Sequence, residues 1–274
     1  MNADAIAAAF RAACHAELDA LKAGNVHRFS AGHGMAVAHF ERAALAAASA
    51  LAAPGKRVGE RIEAAVAASL EATGLNTNLG IILLCAPLAA AAEMPGALRA
   101  HLDAVLAGLD LTDAQAAFRA IAAANPGGLG RHAGHDVAAP ARIGLREAMA
   151  EAAGRDRIAR QYVSGFTDVF EIGLARLGEL RDAEPEARTE AVHLAFMAAF
   201  PDSHIARKFG DATAEQIRAE AAEVAGTVDF RAPAERRRPP LLAFDVRLKA
   251  RGLNPGTSAD LTVATLFAAA LLTP

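Results

Sequence analysis

An all-α fold is predicted by three features of the 274-residue sequence. Hydrophobic residues make up 53% of it, and they are drawn mostly from Ala and Leu, which lose little rotamer freedom in a helix. β-branched residues are thin and scattered, so no stretch reads as a strand. Apolar side chains recur at three- and four-residue spacing, and Gly or Pro punctuates nearly every gap between such runs. A chain this long can bury a sizeable core. No repeat of fixed period is present, which excludes a solenoid. The expectation is one multi-helical globular domain over residues 1–274.

The elements follow in order. Ile6, Phe10, Cys14, Leu18 and Leu21 mark a first amphipathic helix that breaks at Lys22-Ala23-Gly24-Asn25. After a polar loop to Gly34, a second helix runs to Pro54-Gly55, and Val58, Ile62, Val66 and Leu70 mark a third that ends near Thr73-Gly74. An apolar helix, Ile81 to Ala92, follows Asn76-Thr77-Asn78, and shorter helices cover Leu98 to Leu106 and Asp113 to Ala124. Asn125 to Gly144, rich in Gly, reads as a long loop. Tyr162, Phe166, Val169, Phe170, Gly173, Leu174 and Leu177 predict one face of a single long helix. Helices over Glu186 to Phe200 and Thr213 to Ala225 precede a Pro- and Arg-rich connector, Gly226 to Pro240. Two helices split by Gly252-Leu253-Asn254-Pro255-Gly256 close the chain.

Composition narrows the partners. A formal charge of −3 and a pI near 6.3 give no field that would recruit nucleic acid or an anionic membrane. Mean hydropathy is +0.21, yet the two longest apolar runs, Ile81 to Ala92 and Leu261 to Leu272, fall short of the roughly 20 residues a spanning helix needs. The first residues resemble neither a signal nor a transit peptide. Cys14 and Cys85 lie in Ala- and Leu-rich surroundings without metal or redox spacing and read as small buried hydrophobes. A cytoplasmic protein without a nucleic-acid or membrane partner is expected. The apolar last helix fits a symmetric dimer as well as a monomer core.

Polar residues concentrate in short joints between apolar helices. Three joints combine Gly with amides or hydroxyls: Lys22-Ala23-Gly24-Asn25-Val26, Gly74-Leu75-Asn76-Thr77-Asn78, and Gly252 to Asp260. The last two run into helix N-termini, where unsatisfied N–H groups and the macrodipole favour an anion such as phosphate. Ordinary caps and stops use the same residue types, so capping and phosphate binding both remain open.

These blocks carry a resemblance. Gly252-Leu253-Asn254-Pro255-Gly256-Thr257-Ser258-Ala259-Asp260-Leu261 resembles the C-terminal LNPGxxADL signature of the triphosphoribosyl-dephospho-CoA synthase family. Lys22 to Val26 with Gly32-His33-Gly34-Met35 is similar to that family's KPGxV and GxHxDM region, and Thr73 to Gly80 to its TGGVNTHKG motif. The blocks keep the family's order across nearly the whole chain. The resemblance implies an all-helical enzyme whose polar loops form a nucleotide pocket. Its reaction moves the 5-triphosphoribosyl group of ATP to the ribose 2′-hydroxyl of 3′-dephospho-CoA, or a related acceptor, and releases adenine. Mg²⁺ is implied by ATP use. Carried over motif by motif, Lys22, Gly24, Asn25, Asn76, Thr77, Asn78, Asn254, Gly256 and Thr257 are expected to bind substrate. Asp260, Glu147 and His33 are the expected catalytic groups, with Asp260 and Asp168 toward the metal.

The departures are as informative. Ala23 replaces the family's Pro, the acidic residue that often follows is missing with His27 nearby instead, and Asn78-Leu79 replace a His and a Lys. Leu79 cannot supply the lost point charge. The motifs therefore resemble a divergent branch linked to methanopterin-type one-carbon cofactor biosynthesis, and a non-catalytic nucleotide-binding protein stands as the rival. Arg146-Glu147 and Arg155 to Arg160 read first as a solvated helix face, and Glu171 joins Asp168 as a carboxylate on the Tyr162 face. His132, His135 and Asp136 suggest a metal without a convincing third ligand. His204 with Arg207 and Lys208, and Arg236-Arg237-Arg238, are candidate phosphate neutralisers or solvated runs.

Overall fold

The computed structural model describes residues 1–32, 34–125 and 139–273. Among them the regular structure is helical: α1 (Ala3–Asp19), α2 (Val37–Leu51), α3 (Val58–Thr73), α4 (Leu79–Ala92), α5 (Leu98–Ala107), α6 (Leu111–Ala124), α7 (Leu145–Ala152), α8 (Arg157–Ser164), a π-turn (Asp168–Gly173), α9 (Leu174–Glu179), α10 (Pro185–Ala199), α11 (Ser203–Phe209), α12 (Asp211–Thr227), α13 (Ala234–Ala250) and α14 (Gly256–Leu272). The all-α class holds. Two isolated bridges, His27 with Ser30 and Gly32 with Met35, are the extended pairings of the described residues. The chain divides into two compact units, residues 1–12, 39–166 and 267–274, and residues 13–38 and 167–266.

In the first unit, α3 packs closely on α6 because Gly59 has no side chain: a Cβ there would lie 2.6 Å from the Asp113 backbone. The Gly59 N–H donates to Asp113 Oδ1 at 2.9 Å. Asp110 caps α6 by accepting from the N–H groups of Thr112 and Asp113. Helix α4 is buried on nearly every side and holds Pro87 in its interior. Proline has no N–H, so the Leu83 carbonyl four residues earlier loses its helical donor. The Tyr162 hydroxyl replaces it, donating to Leu83 O at 2.6 Å.

In the second unit, Leu194 and Met197 of α10, Ile217 of α12 and Phe244 and Leu248 of α13 share one apolar core with Leu21 and Leu253. Gly173 ends the π-turn where a Cβ would strike Thr265 Oγ1 at 2.2 Å and Phe196 Cζ at 3.0 Å, so α14 and α10 approach it at backbone distance.

Three expectations need correction. The apolar face from Tyr162 to Leu177 is not one helix: Gly165 (φ +66°) and Phe166 (φ +59°) turn left-handed, and the π-turn adds a residue to the next turn. The Gly226–Pro240 connector is in large part helical, since α13 starts at Ala234 and runs through Pro239 and Pro240. Arg237 is not a solvated charge: it is buried and ion-paired at 2.7 Å to both Glu184 and Glu190, with Arg238 also at 2.7 Å from Glu190. In the last helix Leu261, Val263, Ala264, Phe267 and Ala268 are fully buried. Cys14 and Cys85 are both buried and form no disulfide. No described helix is long and apolar enough to cross a membrane.

Candidate active site

In the second unit the chain leaves α1 and turns through Lys22 to Val26. Lys22 is fully buried. Its ammonium donates to Glu17 Oε1, to Asn25 Oδ1 at 3.2 Å and to the Val26 carbonyl at 2.5 Å. Burial pulls the Lys22 ammonium below its ordinary range, against the attraction of Glu17 and Asp260. Burial likewise pushes the Glu17 carboxyl up, against its bond to Lys22. All three Lys22 donors are used inside the protein, so its work is to hold the loop's shape.

The next two residues join this loop to the one before α14. Gly24 has φ +81°, and a Cβ there would sit 2.7 Å from Pro255 Cδ and 2.9 Å from Leu248 Cδ1. Only glycine fits that approach. Asn25 Nδ2 donates to Asn254 Oδ1 at 2.8 Å, while its own Oδ1 also accepts from the Val26 N–H. Two of the three glycine-bearing loops, Lys22–Val26 and Gly252–Gly256, thus meet within this unit.

Behind the seam lies a group the sequence did not reveal. Asp245, on α13, accepts from the Gly24 N–H at 2.8 Å and lies 3.3 Å from His27 Nε2 and 3.1 Å from Lys249 Nζ. Burial pushes the Asp245 carboxyl up, but the His27 and Gly24 donors and the Lys249 charge outweigh it and leave it below the usual range. Burial lowers His27, and its Nδ1 has no partner. Burial also holds His193, on α10, well below the ordinary imidazole range, with the positive field of Lys22 and His27 adding to it. Asp245 and Lys249 lie in the first of the two closing helices the sequence predicts, and their i,i+4 spacing beside Leu241, Phe244 and Leu248 is the signal that marks them.

The N-terminus of α14 is already served by a carboxylate. Asp202 Oδ2 accepts from both the N–H and the hydroxyl of Ser258 at 2.8 Å, while Oδ1 caps α11 through His204 and Ile205. Burial pushes the Asp202 carboxyl up, and these donors oppose the shift. Gly256 is pressed against the His204 ring, whose Nδ1 would lie 3.2 Å from a Cβ, and Thr257 is buried. Asp260 is half-buried in the first turns of α14, and its charge raises the neighbouring Cys14 thiol after burial and Glu17. Asp168 is buried in the π-turn and Glu171 exposed.

In the first unit the Asn76–Asn78 joint opens α4. Asn76 Oδ1 accepts from the Leu79 N–H at 3.4 Å. Asn78 is the N-cap residue, yet its side chain makes no capping bond. Thr77 and Asn78 are 8% and 5% exposed, and Thr77 Oγ1 and Asn78 Nδ2 have no hydrogen-bond partner. Buried polar atoms left this way at a helix N-terminus form a ready anion cradle. Glu147 is exposed on α7. His33 lies outside the described residues, as do His132, His135 and Asp136. Among the described residues no three His, Cys, Asp or Glu side chains are grouped to hold a metal ion.

Comparison with known proteins agrees with these motifs. Residues 3–274 match the CitG family, described as ATP:dephospho-CoA triphosphoribosyl transferase. A solved structure from Archaeoglobus fulgidus, proposed to be a triphosphoribosyl-dephospho-CoA synthase, is 25% identical, covers 86% of this chain and 99% of its own, and superposes with a TM-score of 0.66. No curated protein matches. With the family match running from Ala3 to the last residue, the chain belongs to the ATP:dephospho-CoA triphosphoribosyl transferase family.

Proposed function

We propose that the protein transfers the 5-triphosphoribosyl group of ATP to a ribose hydroxyl of 3′-dephospho-CoA or a chemically related acceptor. The C1′–N9 bond of ATP breaks, the acceptor oxygen bonds to C1′, its proton passes to a base, and adenine leaves after gaining a proton. The observation that carries this reading is the α4 terminus. Thr77 Oγ1 and Asn78 Nδ2 are buried without partners there, as a triphosphate site would require. Asp260 is the proposed base, and Glu147 and His33 remain proposed participants. Mg²⁺ is proposed to arrive on the ATP phosphates, because that ion keeps most of its shell as water and phosphate oxygen and takes few carboxylates. Asp260 and Asp168 are the proposed carboxylates, and the chemistry the ion would supply is charge neutralisation on the triphosphate.

One observation favours a substrate or reaction that departs from the family's pattern. Leu79 heads α4 where the resembling motif places Lys, so the cradle binds with neutral donors. Incubation with ATP, Mg²⁺ and a series of ribosylated acceptors, followed by chromatography, is expected to show adenine release with at least one. ADP would instead indicate phosphoryl transfer. Nucleotide binding without turnover on any acceptor would support the non-catalytic reading. Asp260→Ala is expected to lower adenine release by about a hundredfold or more, the usual contribution of a general base. Full activity in a folded variant removes Asp260 from the mechanism.

A further inference from the structure

The loop from Lys22 to Ser30 has little regular structure of its own. One bridge closes it, with the His27 N–H donating to Ser30 O at 3.2 Å and the Ser30 N–H to His27 O at 3.0 Å. Something outside the loop must fix its position relative to α13 and the LNPG joint. We propose that Asp245 is the positioning residue for this part of the site. One carboxylate oxygen fixes both the Gly24 backbone and the His27 ring, and Lys249 closes the arrangement over Ser30.

The geometry is specific. Asp245 Oδ1 takes the Gly24 N–H at 2.8 Å, His27 Nε2 at 3.3 Å and the Lys249 ammonium at 3.1 Å. Lys249 Nζ also reaches the Ser30 carbonyl at 3.3 Å and lies 3.2 Å from His27 Nε2. Asp245 is 2% exposed, and α13 is anchored under it by Leu241, Phe244 and Leu248. The carboxylate therefore ties the loop to a helix packed into the core, at the glycine that touches Pro255. Nothing but a small anion does this, since an amide would present one donor face and leave the Lys249 ammonium without a counter-charge.

The inference deepens the transferase reading, and its test has an arm that does not depend on turnover. Asp245→Asn alone strands the half-buried Lys249 ammonium and is expected to destabilise the fold. Asp245→Asn with Lys249→Met removes both charges together and is expected to recover most of the wild-type urea midpoint. In that double variant, amide hydrogen exchange across residues 22–30 is expected to quicken, and kcat/KM for adenine release to fall, each by about tenfold, the scale set by one charge-assisted hydrogen bond. Exchange elsewhere in the second unit should stay near wild type. A general structural role would quicken exchange throughout the unit, with turnover tracking the folded fraction, and that outcome overturns the proposal. Wild-type exchange over 22–30 in the double variant overturns it as well. If the wild-type chain releases no adenine while the 22–30 exchange still quickens, the positioning role stands and the transferase reading falls.

Discussion

Single residues settle how the second-unit loops are held. Gly24 combines a left-handed backbone with the closest approach to Pro255, two demands that no other residue meets together. Gly24→Ala is expected to cost about 2 kcal/mol or more, summing a left-handed penalty and an overpacked contact, read as a lowered urea midpoint. Lys22 and Asn25 were recognisable from the sequence as site residues, but not in their roles. A Lys beside Gly and Asn looks like a phosphate ligand until burial shows its three donors committed to Glu17, Asn25 and Val26. Thr257 and Gly256 were likewise recognisable as a helix start. What the sequence could not show is that Asp202, 56 residues earlier, already supplies the negative charge at Ser258.

Elements were legible where periodicity ran uninterrupted between glycine and proline stops, as in α3, with Gly74 as its left-handed cap. They were not legible where the backbone departs from the α period. Gly165 and Phe166 reverse their φ, so apolar spacing continued across a real break. In α13 the opposite happened, because Pro239-Pro240 looked like a stop yet sits inside a helix held by Arg237 and Arg238 pairing with Glu190. Helix α4 shows how an interior proline is tolerated. Tyr162→Phe is expected to destabilise the protein by about 1–3 kcal/mol, since it leaves the buried Leu83 carbonyl without a donor. In a Pro87→Ala background the restored N–H can serve that carbonyl, so the same change should cost less than half as much in a double-mutant cycle. Equal costs in both backgrounds would show that the hydroxyl matters for another reason.

For the molecule as a whole, fold class and family were readable from composition, stops and three motif blocks, because these are local patterns. The Asp245 group was not, because it depends on pairings between residues more than two hundred positions apart. Buried imidazoles give the whole fold a pH signature. An unfolded His takes up a proton near pH 6.5, whereas His193 in the folded chain does so only well below that, and His27 is lowered as well. Below pH 6.5 the unfolded state binds more protons, so this contribution is fully present above that pH and is lost as the pH falls. Stability is expected to drop by up to about 1.4 kcal/mol per pH unit for each such His. Urea midpoints at pH 7.5 and 5 should show a shallower fall in His193→Gln, and an unchanged slope would remove that residue from the effect. The Asn25–Asn254 bond joins residues 229 positions apart. At ribosomal speeds of about 5–20 residues per second, the nascent loop waits roughly ten to fifty seconds for its partner to be made. Until then Lys22 and His27 emerge into solvent as ordinary titrating groups. The interior that later surrounds them is a late product of synthesis, and the interval is when a chaperone would find the second unit's apolar core still open.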